Sequence, residues 1–456
     1  MAVATEKLEF RSTNGVSPNV DLRGALLQGQ APDKGLYMPV RFPSFLPGEL
    51  ESFRGKSYPE IATEVLWHYA NGIIEKDLLA ELCHDAYDYD IPLEPVYDRV
   101  HVMRLDRGPS ASFKDFAARM MARLIGNFIK EEGRELVILT ATSGDTGSAV
   151  ASAFHNIEGI RVLILFPKGE VSNRQRKQMT TLGDNIRTIC LDGKFDDCQA
   201  MVKRAFADED LAGLPLSSAN SINIGRLLPQ SVYYVYAWSR LTQSPDEQLV
   251  ITTPSGNFGN MMGSIFARQM GMPVKRVVVP VNENDEFPVF LNTDKYSKIV
   301  PSRACVSNAM NVGHPSNLAR LADIYGGQID EVGNVIELPD LDAMRRDLFS
   351  SSVSDEDTRN TIKQAWDEHK LLLEPHGAVG WKGFQDYIKQ EPLDGAPAIV
   401  VETAHPAKFP DEIEKVLGFT PEAPETLSRL DDLEEKYDSM GANYDAFKDY
   451  LKTNYS

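Results

Sequence analysis

Hydrophobic and polar positions change rhythm along the chain. Up to about residue 95 the pattern is irregular, broken by Pro32, Gly35, Pro39, Pro43, Pro47 and Gly48. Inside this stretch YPEIATEVLWHYANG (58–72) puts Ile61, Val65 and Trp67 near one helical face, and KDLLAELCHDAY (76–87) repeats the theme. The segment IPLEPVYDR (91–99), with two prolines, reads as a boundary. From about residue 100 apolar runs alternate with helical patterns. Strands are predicted at ELVILTAT (135–142), RVLILFP (161–167), NIRTICL (185–191), QLVITTPS (248–255), VKRVVVPVN (274–282) and APAIVVETA (396–404). Helices are predicted at GSAVASAFHN (147–156), NRQRKQMTTLG (173–183), FDDCQAMVKRAFAD (195–208) and MMGSIFARQMG (261–271). A longer one, GRLLPQSVYYVYAWSRL (225–241), is expected to kink at Pro229. Continuous apolar strands separated by helices predict an α/β fold whose parallel sheet is covered on both faces. The stretch 424–456 is acidic and helix-compatible, and reads as a solvated cap.

Composition narrows the function classes. The 456 residues suggest roughly three domains, or two with a large insertion. Hydrophobic residues are 42% and charged residues 25%, enough for a core without disulfide staples. Lys and Arg number 47 against 66 Asp and Glu, a formal charge of −19. Such a surface repels a phosphate backbone, so nucleic-acid binding is not expected. An anionic substrate would need a locally basic pocket. Cys83, Cys190, Cys198 and Cys305 form no CxxC pair, so neither a zinc ribbon nor a redox motif is expected. No signal-like apolar core opens the chain and no run of 18 apolar residues occurs, which predicts a cytoplasmic protein without a membrane span.

Three segments carry candidate chemistry. ATSGDTGSAV (141–150) and TPSGNFGNMMG (253–263) are glycine-rich, follow predicted strands and lead into helices. Backbone N–H groups at such strand-to-helix turns favour anions, and glycines allow close approach. Neither loop has the P-loop or GxGxxG spacing, which argues against a nucleotide or dinucleotide site. The third segment is RGPSASFKDFAARMMARL (107–124), with Lys114 just before or within the first turn of a helix. A helix N-terminus and partial burial both disfavour an ammonium, and a lowered lysine pKa suits a nucleophilic or Schiff-base amine; an ordinary surface lysine is the alternative.

GPSASFKDF resembles the lysine segment of fold-type II pyridoxal phosphate enzymes, TSGDTG their substrate-carboxylate loop, and SGNFGN their cofactor-phosphate loop. FRSTNG (10–15), QAPDKGLYMP (30–39), SANSINIGRLLPQ (218–230), SNAMNVGHPSN (307–317), EPHGAVG (374–380) and TAHPAKF (403–409) resemble the threonine synthase family in its longer bacterial and fungal branch. The matches run in family order from residue 10 to about residue 410. The resemblance implies a fold like the tryptophan synthase β chain: two open, mostly parallel twisted sheets with helices on both faces, plus an N-terminal α+β domain. It implies an N-terminal domain over 1–95, a catalytic region over 96–420 with a small mobile subdomain at about 140–220, and an acidic helical extension over 421–456.

The resemblance also implies site roles. Lys114 would hold pyridoxal 5'-phosphate as a Schiff base. Gly256, Asn257, Phe258, Gly259 and Asn260 would bind the cofactor phosphate, and Thr403 would hydrogen-bond the pyridine nitrogen. Glu402 would point the other way by strand alternation. Thr142, Ser143, Asp145 and Thr146 would take the carboxylate of the substrate, O-phospho-L-homoserine. Ser221 and Arg226 would take its phosphate, with Asn220 and Asn223 as neighbours. Many fold-type II enzymes have Asn where this chain has Asp145. A carboxylate facing a phenolate is unfavourable unless one is protonated, so the role of Asp145 stays open, as does that of Lys408. No metal is implied, and a monomer or homodimer is expected. The implied reaction is γ-elimination of phosphate followed by addition of water at Cβ, giving threonine, with Lys114 moving most protons. A phospho-lyase ending in a 2-oxo acid shares the first half of that reaction. A non-catalytic relative is disfavoured by the presence of Lys114.

Overall fold

Two parallel sheets organise the chain in the computed structural model, which describes residues 7–456. The larger sheet has six strands, in the order Leu348–Phe349, Val274–Val278, Leu249–Thr252, Ala398–Glu402, Val100–Arg104 and Leu93–Tyr97. All neighbours are parallel except the last pair. The second sheet has five strands, all parallel, in the order Asp438–Gly441, Ile186–Asp192, Ile160–Pro167, Leu136–Ala141 and Leu216–Ser217. Leu136–Ala141 and Ala398–Glu402 are buried at every position, as strands covered by helices on both faces must be. The predicted α/β class and two open sheets are therefore what the chain forms.

Residues 9–39 make a small antiparallel sheet from Glu9–Ser12, Val20–Asp21 and Tyr37–Pro39. The helices Tyr58–Ala70 and Lys76–Ala86 fall where periodicity predicts. Ile61, Val65 and Leu79 are fully buried in the apolar core that also holds Phe116 and Tyr233, so this N-terminal part packs against the larger sheet's helices. Among the described residues no helix is long and apolar enough to cross a membrane, and no group of three or more His, Cys, Asp or Glu is placed to hold a metal ion.

One segment gains a structure and two local expectations change. IPLEPVYDR, read as a boundary, forms the edge strand Leu93–Tyr97; Pro95 offers no N–H, which an edge tolerates and a central strand does not. Pro229 does not kink a helix. It sits in the first turn of Leu228–Leu241, where its missing N–H would have had no intrahelical partner, and Ile224–Arg226 forms a separate 3-10 turn before it. Finally, the acidic tail is more than a solvated helical cap. Asp438–Gly441 adds a strand beside Ile186–Asp192, and the helix Tyr444–Tyr455 buries Phe447 and Leu451 against Leu139, Leu165 and Met201. Charge on one face of the tail masks the apolar spacing Tyr444, Phe447, Leu451 and Tyr455 on the other.

Ligand sites in open parallel sheets lie at the carboxyl ends of strands. Here Thr252, Val400 and Val102 sit side by side in register. The chain leaving these three neighbouring strands carries the SGNFGN loop, Thr403 and the segment leading to Lys114. The strand Leu136–Ala141 delivers the TSGDTG loop from the second sheet.

Candidate active site

Lys114 opens the helix Lys114–Glu132, as its position predicts, and its side chain is 13% exposed. The segment before it is held by the end of the strand Ala398–Glu402. Phe113 N–H donates to Thr403 O (2.9 Å), His405 N–H donates to Ala111 O (3.0 Å), and Ser112 bridges Ala404. Ala111 adopts φ +52°, the left-handed region, as the chain turns toward the lysine. Lys114 Nζ lies over the Phe113 ring at 4.6 Å and 3.7 Å from Asp145 Oδ2. Burial pushes the Lys114 pKa down. Lys408 and Arg226 add to that, while Asp145 opposes it.

Asp145 is the first residue of the helix Asp145–Phe154 and is buried. Its Oδ1 pairs with Lys408 Nζ at 2.6 Å and accepts from Gln175 Nε2 at 2.9 Å. Burial would raise this carboxyl, but Lys408, Lys114 and His376 override it and hold it well below the ordinary range. Lys408 is fully buried and also donates to Ser110 O at 2.9 Å. Asp145 thus stands as an ion pair with Lys408, beside Lys114, rather than as a bare carboxylate.

The SGNFGN loop leads into the helix Gly259–Gln269. Phe258 takes φ +62°, rare for a bulky residue, and is held there by its ring against Phe287 at 4.8 Å. The nearest neighbours a Cβ on Gly256 would meet are Met310 Cα at 3.0 Å and Ala309 O at 3.1 Å, whereas one on Gly259 would find ordinary contacts at 3.4 Å and beyond. The tight glycine of the loop is therefore Gly256. Asn257 accepts through Oδ1 from Ser316 N–H (3.3 Å), and its carbonyl accepts from Asn317 Nδ2 (2.8 Å). Asn260 Oδ1 accepts from the hydroxyls of Tyr233 (2.5 Å) and Tyr234 (2.6 Å). Its Nδ2, at the helix N-terminus, is buried with no partner among the described residues.

A second unsatisfied donor lies on the SANSINIGR segment. Arg226 is 3% exposed, donates Nη1 to Ala219 O (2.5 Å), and has no partner for Nε among the described residues. Burial lowers it to about 10. Ser221 is half-buried in the same segment, and its carbonyl accepts from Arg320 Nη1 at 3.0 Å. Asn220 Nδ2 donates to Ala141 O (2.9 Å), docking this segment on the end of the strand that carries TSGDTG. Asn223 is absorbed by structure: its Nδ2 donates to Leu26 O and Ser218 O and its Oδ1 accepts from Gly225 N–H. Thr142 Oγ1 accepts from Gly144 N–H (2.9 Å) and Gly147 N–H (2.8 Å), so its oxygen shapes the TSGDTG loop, where Ser143 and Thr146 are half-buried.

Thr403 is buried and donates from Oγ1 to Glu374 Oε1 at 3.2 Å. Sequence reasoning quoted Glu374 only as the start of EPHGAVG and gave it no role; here it caps the helix Pro375–Gln390. Glu402 is fully buried, accepts from Glu374 N–H at 2.9 Å, and is pushed well above the carboxyl range by burial, with Glu374 adding to the rise. Asp115, next to Lys114, is buried and raised to about 6 by burial, its bonds from Ser110 opposing. A carboxyl that binds its proton more tightly folded than unfolded makes stability fall as pH rises from about 3.8 to about 6. The full shift corresponds to about 3 kcal/mol. Asp115→Asn is expected to remove that part of the pH dependence, read as the difference between the two proteins in denaturant unfolding across this window.

The residues present suit pyridoxal phosphate. A half-buried lysine with a lowered pKa lies close enough to the buried Arg226 to be lowered further by its charge. Two anion-seeking donors, the Asn260 amide at a helix N-terminus and Arg226 Nε, are buried with no partner among the described residues. Comparison with known proteins agrees. The model for pyridoxal-phosphate dependent enzymes matches residues 92–403, that for the threonine synthase N terminus residues 9–87, and that for the threonine synthase C-terminal region residues 377–451. The chain is similar to the threonine synthase of Escherichia coli (35% identical over 430 residues, 94% of this chain and 96% of the other). It is similar to that of Haemophilus influenzae (36% over 428 residues, 94% and 95%). The solved structure of pyridoxal-phosphate-bound threonine synthase from Brucella melitensis superimposes with a TM-score of 0.90 at 32% identity, covering 98% of this chain and 99% of that one.

Proposed function

Because the chain belongs to the threonine synthase family of pyridoxal-phosphate-dependent enzymes, we propose that its site converts O-phospho-L-homoserine and water to L-threonine and inorganic phosphate, as a carbon–oxygen lyase. The observation that carries this reading is the buried Arg226 guanidinium, whose Nε has no partner among the described residues, near the half-buried Lys114, in a chain whose net charge would otherwise repel a dianion.

Lys114 would hold the cofactor through Nζ, the Gly256–Asn260 loop its phosphate, and Thr403 its ring nitrogen. Pyridoxal phosphate, when bound, supplies an electron sink that stabilises negative charge on the substrate carbons. Nζ of Lys114 then moves protons. Its lowered pKa keeps a larger fraction as free amine, able to take the Cα proton. The same amine, on one side of the site, serves the later transfers at Cβ and Cγ. The ion pair with Lys408 keeps Asp145 charged without letting it claim Lys114: Nζ of Lys408 is at 2.6 Å and that of Lys114 at 3.7 Å. Arg226 and Ser221 would hold the leaving phosphate, and the TSGDTG backbone the substrate carboxylate. Asp145 lies on the second-sheet side and Lys408 follows the larger sheet, so their contact joins the two sheets' ends. Closure of residues 140–220 over the larger sheet would exclude water during elimination.

Gly256→Val is expected to weaken pyridoxal phosphate binding by at least about tenfold, because a side chain there must push the loop off Ala309 and Met310. Titration of the apoprotein with cofactor, followed by absorbance, checks this; an unchanged affinity in a folded variant would reduce SGNFGN to a turn. The proposal as a whole is tested by product analysis. Threonine and phosphate in equal amounts are expected from O-phospho-L-homoserine; 2-oxobutyrate as the main product would assign the chain to the phospho-lyase reading.

A further inference from the structure

The EPHGAVG segment has no role in the chemistry above, yet it reaches Thr403. Glu374 caps the helix Pro375–Gln390, and each of its four hydrogen-bond contacts comes from a donor. Oε2 accepts from His376 N–H (2.7 Å) and from His376 Nδ1 (2.5 Å). Oε1 accepts from Gly377 N–H (3.0 Å) and from the Thr403 hydroxyl (3.2 Å). The histidine tautomer follows from its other side: Ala309 N–H donates to His376 Nε2 (3.1 Å), so the ring proton is on Nδ1 and faces Glu374. A carboxyl surrounded only by donors is an ionised acceptor; a protonated one would need an acceptor of its own. Glu374 is fully buried, so water does not compete for these bonds.

A threonine hydroxyl has one proton. Here it is committed to Glu374, which leaves Thr403 Oγ1 only lone pairs to offer a ligand. We propose that Glu374 is a positioning residue that fixes Thr403 as a hydrogen-bond acceptor, so that the ring nitrogen of the bound cofactor must carry a proton to be held there. This rests on the reading above that Thr403 faces that nitrogen. Thr403 and Glu374 together then act as a relayed carboxylate: the hydroxyl touches the ring and the charge sits one bond behind it. A lone threonine would leave the ring nitrogen weakly protonated; this pair strengthens the ring's pull on electrons. The same residues tie the ring end to the phosphate end, because His376 holds Ala309, whose carbonyl borders Gly256.

The test is the nitrogen resonance of holoprotein reconstituted with ring-15N pyridoxal phosphate. Wild type is expected to show the protonated, pyridinium position at neutral pH. In Glu374→Gln the side-chain NH2 is expected to take the Oε1 position, because the Oε2 position faces two fixed donors from His376 whereas Oε1 faces one, Gly377 N–H, and a hydroxyl whose proton can turn away. That NH2 donates to Thr403, frees the hydroxyl proton for the ring, and moves the resonance to the neutral pyridine position. A neutral position in wild type, or an unchanged pyridinium position in Glu374→Gln, overturns the proposal while leaving the site assignment intact. Thr403→Val separates the two readings: no change in the resonance there shows that Thr403 does not face the nitrogen, and both fall.

Discussion

Replacement of Lys114 by Ala is expected to leave a folded protein that no longer absorbs in the visible on adding pyridoxal phosphate and turns over at least about 10⁴-fold more slowly. The fold should survive because the charge most exposed to the loss, buried Asp145, keeps its shorter partner, Lys408 at 2.6 Å, and its bond from Gln175. The helix that starts at Lys114 keeps its buried face, from Phe116 to Phe128. The chemistry should not survive, because in the proposed reading one amine serves both the covalent anchor and the proton transfers. Borohydride reduction followed by peptide mapping checks the assignment. A reducible cofactor–protein bond persisting in Lys114→Ala would move the anchor to another amine, and Lys408, sharing Asp145, would be the first to examine.

Arg226→Ala is expected to raise the KM for O-phospho-L-homoserine at least about tenfold while leaving the holoprotein spectrum normal. A charge-assisted bond to a phosphate contributes about 1.5–3 kcal/mol, and about 1.4 kcal/mol is a factor of ten. Arg226 does not lie on a solvated helix face: it is 3% exposed, in a 3-10 turn ahead of the helix Leu228–Leu241. Its Nε has no partner among the described residues and burial lowers its pKa to about 10, so this buried charge carries a cost that a bound anion would relieve. Two further outcomes follow. Inorganic phosphate should stabilise the wild-type protein against heat and fail to stabilise Arg226→Ala. Arg226→Lys should recover part of the loss, since an ammonium gives a point charge but not the fork. Unchanged kinetics in Arg226→Ala would place the substrate phosphate elsewhere.

The sequence was most legible where burial leaves a periodic trace. Strands such as Leu136–Ala141 and Ala398–Glu402 are apolar at nearly every position because helices cover both faces, and they emerge as continuous runs. Proline misled at Pro229 and hid the edge strand Leu93–Tyr97, since its meaning depends on whether its missing N–H faces an edge or a first helical turn, which only pairing reveals. The tail misled because net charge and burial are read on different faces of one helix. In the site, Lys114 and the two glycine loops carry their own local signals. The pairing of Asp145 with Lys408 does not, because it joins residues from the two sheets that only the fold brings within 2.6 Å. Glu374 was hidden for another reason: an acid before a proline is adequately explained as a helix cap, and its second task, accepting the Thr403 proton, depends on the end of a neighbouring strand.

The central claim is that phosphate leaves by carbon–oxygen cleavage and that water enters at Cβ. Turnover of O-phospho-L-homoserine in 18O-enriched water, with mass analysis of both products, tests it most directly. Threonine carrying one 18O in its side-chain hydroxyl, together with unlabelled phosphate, is the predicted result. Labelled phosphate accompanied by homoserine would show phosphorus–oxygen cleavage and contradict the account.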